Sequence, residues 1–209
     1  MSIGVLDYGA GNLKNVCRAI DHLGFNYRLV STVDGVHAVD KLIIPGVGAF
    51  KVAMEQLEKL GLTESLRQLA EKGIPIMGIC LGMQLLFEQS SEFGVSKGIG
   101  LIKGEINKIP SVGINGHQLK VPHIGWNELI INKSILQIVN GIETDDPVYF
   151  VHSYRVEGIE ESDLVAYCTY DGLVIPSIVK RRNIIGCQFH PEKSGEIGLK
   201  IFDNFLRSV

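Results

Sequence analysis

Three short stretches hold residue types that could do chemistry together. In Gly78-Ile79-Cys80-Leu81-Gly82 a thiol sits between two glycines, directly after the apolar run Ile74-Pro75-Ile76-Met77. G-x-C-x-G at a strand-to-helix junction is the thiol form of a nucleophile elbow. Its glycines permit a strained turn that lifts the nucleophile above the sheet, and the next backbone N–H can donate to an oxyanion. On this reading Cys80 is the nucleophile and the Leu81 amide an oxyanion donor. A helix predicted over residues 81–89 would favour the thiolate, which is the attacking species. The competing reading is a small buried cysteine in a tight turn, which is what most lone cysteines are.

A thiol nucleophile needs a base, and the base an orienting acceptor. His190 lies just past an apolar run and is followed by Pro191 and Glu192. Proline fixes its own φ and biases the preceding residue towards extended geometry, so His190 and Glu192 can point to the same side as an oriented pair. His-x-Glu after a strand is more often a surface turn, and its force here comes from occurring with the elbow. The third stretch, Pro45-Gly46-Val47-Gly48, follows a strand and can offer backbone amides to an anion. It lacks the Lys-Ser/Thr of a P-loop, and Gly9-Ala10-Gly11 lacks the third glycine of the dinucleotide fingerprint. Val47 and Gly48 are therefore read as an oxyanion strand, and no cofactor is expected.

The elements that must position these residues alternate over the first 90 positions. Short apolar strands are predicted at 3–6, 27–30, 41–44 and 74–79, and amphipathic helices at 12–23, 52–60 and 64–72. That alternation is the mark of a parallel sheet covered on both faces, with ligands at the carboxyl edge of its strands, where Gly48, Cys80 and His190 would meet. From 98 to 186 the pattern turns to short β-branched and aromatic runs, read as antiparallel or mixed strands extending the same core. Residues 110–117 form a candidate surface loop, and a helix at 197–206 closes the chain. The fold class is thus α/β: an open, mostly parallel central sheet flanked by helices, with additional antiparallel strands, in a single domain over 1–209.

Composition narrows the function classes. Of 209 residues 45% are hydrophobic and 21% charged, and the net charge is −3. This suits a compact protein and not one that grips nucleic-acid backbones, which would be basic. No apolar run approaches the roughly 20 residues of a membrane span, and the N-terminus reads as a first strand and not a signal peptide. A cytoplasmic location is the default. The cysteines Cys17, Cys80, Cys168 and Cys187 contain no C-x-x-C pair. They suggest neither a disulfide framework nor a metal site. Cys17 falls on a helix face and Cys168 and Cys187 in strands, as structural residues.

With the three motifs in this order, the chain resembles the class I (triad) glutamine amidotransferases. More narrowly it is similar to the glutaminase subunits of imidazole glycerol phosphate synthases, through Asp7-Tyr8-Gly9-Ala10-Gly11-Asn12, Pro122-His123-Ile124-Gly125-Trp126-Asn127 and Tyr149-Phe150-Val151-His152-Ser153-Tyr154-Arg155. The resemblance spans about residues 2 to 207. It implies that Cys80 attacks the side-chain amide of L-glutamine, His190 passes the proton to departing ammonia, and Glu192 orients His190. It further implies that Gly48, Gln84, Glu92, Ser153 and Tyr154 hold the glutamine, with Glu92 facing its α-amino group. Trp126, Tyr149 and Lys193 match positions facing a (β/α)8-barrel cyclase partner in a heterodimer, where ammonia is used in histidine biosynthesis. Residues 109–120 depart from the family by greater length and Gly/Asn content. That leaves two alternatives, a paralogous subunit feeding ammonia to surface-polysaccharide sugar modification and a catalytically silent binding module.

Overall fold

The computed structural model describes residues 1–133 and 136–208. The first half alternates as the sequence suggests: β1 (Ile3–Leu6), α1 (Leu13–His22), β2 (Tyr27–Val30), α2 (Val33–His37), β3 (Lys41–Ile44), α3 (Phe50–Lys59), α4 (Leu62–Glu71), β4 (Ile76–Ile79) and α5 (Leu81–Leu85). The second half carries β5 (Gln89–Ser90), β6 (Ser96–Lys97), β7 (Glu105–Lys108), β8 (His123–Glu128), β9 (Ile130–Ile131), β10 (Pro147–His152), β11 (Tyr154–Glu157), β12 (Leu164–Tyr170), β13 (Leu173–Arg181), β14 (Ile184–Cys187) and the closing helix α6 (Gly195–Arg207).

The central sheet has the order β2-β1-β3-β4-β14-β13-β12-β9. Its first five strands are parallel and the remaining pairings antiparallel. The parallel strands read as unbroken apolar runs because both faces are covered. In β3, Ile43 packs into the core beneath α1 and α6, while Leu42 and Ile44 pack into the one beneath α3 and α4. Met77 and Ile79 of β4 join the first core and Ile76 the second, the period-2 alternation expected of a strand. Among the described residues no helix is long and apolar enough to cross a membrane.

The later strands extend the same cores, as read from the sequence, but not all of them within the central sheet. β8 and β10 form a separate antiparallel ribbon, and β11-β7-β5-β6 a small four-stranded sheet. The helix after Cys80 ends at Leu85, not near residue 89. The segment after β6 ends it: the amides of Ile99 and Gly100 donate to the carbonyls of Leu85 and Phe87, and those of Leu101 and Ile102 to Leu86. The return segment thus satisfies the carbonyls that the next helical turn would otherwise have used.

Candidate active site

Cys80 stands between β4 and α5 with φ 53° and ψ −110°, a strained conformation for a non-glycine residue. The flanking glycines show what allows it. A Cβ on Gly82 would lie 1.9 Å from the Ile44 carbonyl oxygen, and one on Gly78 would lie 2.6 Å from the Gly82 oxygen. Only bare backbone lets the turn pass so close to β3. The Cys80 amide donates to Cys187 O at 2.7 Å, which ties the elbow to β14. Beside it, the buried Tyr8 hydroxyl donates to Pro45 O at 2.8 Å and anchors the loop that carries Val47 and Gly48. Burial, with the nearby Cys80 adding to it, pushes the Tyr8 pKa above its usual range, so the hydroxyl keeps its proton.

His190 and Glu192 form the oriented pair. Nδ1 of His190 lies 2.7 Å from Glu192 Oε1, with side-chain exposures of 1% and 0%. At that distance from a carboxylate, Nδ1 carries the hydrogen and donates. Burial alone would pull the His190 pKa down, but the Cys80 sulfur and the Glu192 carboxylate outweigh it and hold it up at about 9. Nε2 is buried and makes no hydrogen bond of regular geometry among the described residues, and with the Cys80 sulfur beside the ring it is placed to take or give a proton. The histidine is held through its backbone as well: its amide donates to Tyr149 O at 3.0 Å, and the Ser194 hydroxyl donates to its carbonyl at 2.7 Å.

A cavity of about 330 Å³ opens over the thiol. Val47, Gly48, Cys80, Leu81, Gln84, Glu92, Ser153 and Tyr154 all contribute to its wall, with Pro122, Val151 and His152. His190 and Glu192 are not in the wall. Glu92 has a second contact, accepting from the Phe50 amide at the start of α3 at 2.6 Å. Gln84 donates to Tyr154 O at 3.2 Å and to Gln188 Oε1 at 3.1 Å. The fully buried Gln188 is thereby turned so that its Nε2 faces Cys80 Sγ at 3.9 Å.

Three polar features were not singled out from the sequence. Gln188 is one. Asn12 is the second, donating through Nδ2 to Glu192 Oε1 across 180 residues of sequence. The third is the buried pair His123 and His152. His152 Nδ1 lies 2.8 Å from Tyr154 O, a pure acceptor, so Nδ1 carries the hydrogen. His152 Nε2 must then accept from His123 Nδ1 at 3.0 Å. Burial holds the two pKa values down to about 4 for His123 and about 3 for His152, which keeps both rings neutral. The other cysteines differ from Cys80: burial pushes the Cys168 thiol up to about 12 and raises that of Cys187.

Trp126 and Tyr149 face each other across the β8–β10 ribbon, their rings 5.9 Å apart at 68°. The ribbon's inner face buries His123, Val148, Phe150 and His152, whereas Trp126 is 58% exposed and Ile124 56%. Lys193 is exposed one residue beyond Glu192.

A strained thiol at the carboxyl end of β4, a cavity opening over it and a buried His–Glu pair fit acyl transfer through a thioester. The model of the family "Glutamine amidotransferase class-I" matches residues 4–209. The chain belongs to this family. Among its relatives, imidazole glycerol phosphate synthase subunit HisH 1 of Legionella pneumophila (strain Lens) is 44% identical, with 99% of each chain covered. The HisH subunit of that synthase from Caldanaerobacter subterraneus is 45% identical, with 97% of this chain and 96% of the relative covered. Among solved structures, PurLQS from Thermotoga maritima shares the fold with a TM-score of 0.75 at 23% identity, with 98% and 97% of the chains covered. A crystal structure of a glutamine amidotransferase superposes with a TM-score of 0.74 at 17% identity, covering 98% and 96%. At those identities the likeness concerns the fold alone.

Proposed function

We propose that this amidotransferase hydrolyses L-glutamine by thiol catalysis and serves as the glutaminase subunit of imidazole glycerol phosphate synthase in histidine biosynthesis. One observation carries the chemistry: the hydrogen bond from the buried His190 to Glu192, beside an elbow cysteine in a cavity wall. The subunit assignment is supported by 44% identity over the full chain to a relative of that name. Residues 1–209 act as one domain, a reading supported by two cores that share the central sheet.

In the reaction Cys80 Sγ attacks the side-chain amide carbon of glutamine while His190 holds the thiol proton. The Leu81 amide and the Val47–Gly48 peptide donate to the oxyanion. Collapse expels ammonia, which leaves with the proton from His190. Water, deprotonated by the same imidazole, then attacks the thioester and releases glutamate. Gly48, Gln84, Glu92, Ser153 and Tyr154 hold the substrate. The Glu92 oxygen not engaged by Phe50 faces the α-ammonium.

Trp126, Tyr149 and Lys193 form the face for a cyclase barrel that receives the ammonia. An exposed tryptophan braced by a tyrosine is the kind of anchor that dominates an interface. The Tyr149 carbonyl also holds the His190 amide, so the docking strand and the triad are joined through one peptide.

Reaction with a glutamine-analogue alkylator such as 6-diazo-5-oxo-norleucine, followed by peptide mass spectrometry, tests the site. Modification of Cys80 alone, prevented by glutamine, is expected. Modification of Cys17, Cys168 or Cys187 instead, or none, would overturn the assignment.

A further inference from the structure

We propose that Asn12 is a positioning residue of the triad, its side-chain amide fixing the Glu192 carboxylate in the orientation that holds His190 towards Cys80. This rests on the reading of Cys80, His190 and Glu192 as the triad.

Glu192 Oε1 accepts two hydrogen bonds, from His190 Nδ1 at 2.7 Å and from Asn12 Nδ2. Its other oxygen, Oε2, is buried without a hydrogen-bond partner among the described residues. A side chain with 0% exposure therefore has both its bonds on one oxygen. Without Asn12 its only tether would be the imidazole it has to orient. The carboxylate could then rotate and exchange its oxygens, and a buried carboxylate short of donors is costly.

The Asn12 amide is itself oriented. Its Oδ1 accepts from Asn15 Nδ2 at 2.7 Å, one turn along α1, which leaves Nδ2 as the group presented to Glu192. The line Asn15–Asn12–Glu192–His190 runs from the first turn of α1 to the catalytic base.

The backbone offers a competing reason for asparagine, and that reason can be separated experimentally. Asn12 has φ 76°, in the left-handed region, where Asn, Asp and Gly are the tolerated residues. Its side chain makes no capping bond to α1. Asn12→Gly suits the left-handed backbone and removes the donor. Asn12→Asp keeps the shape and the tolerance but sets a carboxylate against a carboxylate. If Asn12 served only the backbone, both variants would be silent in catalysis.

The test measures glutamine hydrolysis by the full chain at saturating cyclase subunit, with thermal melting as a check of folding and Cys80→Ala as reference. The expected result is a kcat lower by roughly 10²-fold in Asn12→Gly, as for a misplacement of about 1 Å. KM should stay within about twofold, because the glutamine contacts are untouched. Asn12→Asp should be slower than Asn12→Gly, the reverse of what helix-end propensity alone would give. Wild-type kcat in either variant, or a KM that rises as far as kcat falls, would overturn the proposal. Turnover persisting in Cys80→Ala would instead sink the triad reading beneath it. An inactive Cys80→Ala beside an active Asn12→Gly would remove Asn12 alone.

Discussion

At the scale of single residues, the proton on His190 decides the pH behaviour. Its folded pKa of about 9 lies above the usual 6.5, so the ring stays charged at neutral pH beside Glu192. For a raised histidine the contribution to stability is complete below 6.5 and is lost as pH climbs through about 9. In the proposed reaction the imidazolium is also the acid that protonates departing ammonia. The alkaline limb of kcat/KM for the chain with its partner should therefore fall near pH 9. A limb near 7 would mean that the ion pair does not form in the working enzyme. Cys80→Ala should abolish glutamine hydrolysis, a loss on the order of 10⁶-fold, while ammonia-dependent synthesis by the complex continues. Loss of both activities would point to misfolding. Cys80, His190 and Glu192 are legible in the sequence because each motif is local: a thiol between glycines, and a base two residues from its acceptor. Gln188 and Asn12 are not, because their partners lie 108 and 180 residues away and exist only once β14 meets β4 and α1 meets the segment after β14.

At the scale of elements, the elbow is a contact between backbones. A methyl group at Gly82 has nowhere to go, with the Ile44 carbonyl oxygen 1.9 Å from its ideal position. Gly82→Ala should destabilise the fold by at least the about 1–3 kcal/mol typical of overpacking. In a chain of this size each kcal/mol lowers the melting temperature by about 2–4 °C. An unshifted melting curve would show that the turn can relax away from β3. The parallel strands and their helices were readable because apolar period and turn residues agree there. The end of α5 was not: Leu86 and Phe87 continue its apolar run with no Gly or Pro to break it, and it is the return segment around Ile99 that takes up the last carbonyls. The separation of β8 and β10 from the central sheet was hidden for a similar reason, since β-branched runs do not say which strand they pair with.

At the scale of the whole molecule, the buried histidines set the acid limit. His123 and His152 have folded pKa values held down to about 4 and about 3, against 6.5 when unfolded. Below 6.5 the unfolded chain binds protons that the folded one refuses, so stability is full above that pH and falls as pH drops towards 4. Urea midpoints between pH 7.5 and 4.5 should decline, and His123→Gln should flatten the decline; an equal slope in that variant would rule the pair out as its cause. On the outer face, Trp126→Ala should weaken association with the cyclase by about 2 kcal/mol or more while leaving the melting temperature nearly unchanged. Titration calorimetry showing unaltered affinity would remove Trp126 from the interface.

The most direct test is glutamine hydrolysis by the purified chain, alone and then with the cyclase subunit of the histidine pathway and its ribulosyl-phosphate ligand. The expected result is near-idle turnover alone and strong activation by partner and ligand together, since His190 is tied through Tyr149 to the ribbon proposed to dock the cyclase. Full activity without the partner, or no response to it while Cys80 still reacts with a glutamine analogue, would contradict the assignment.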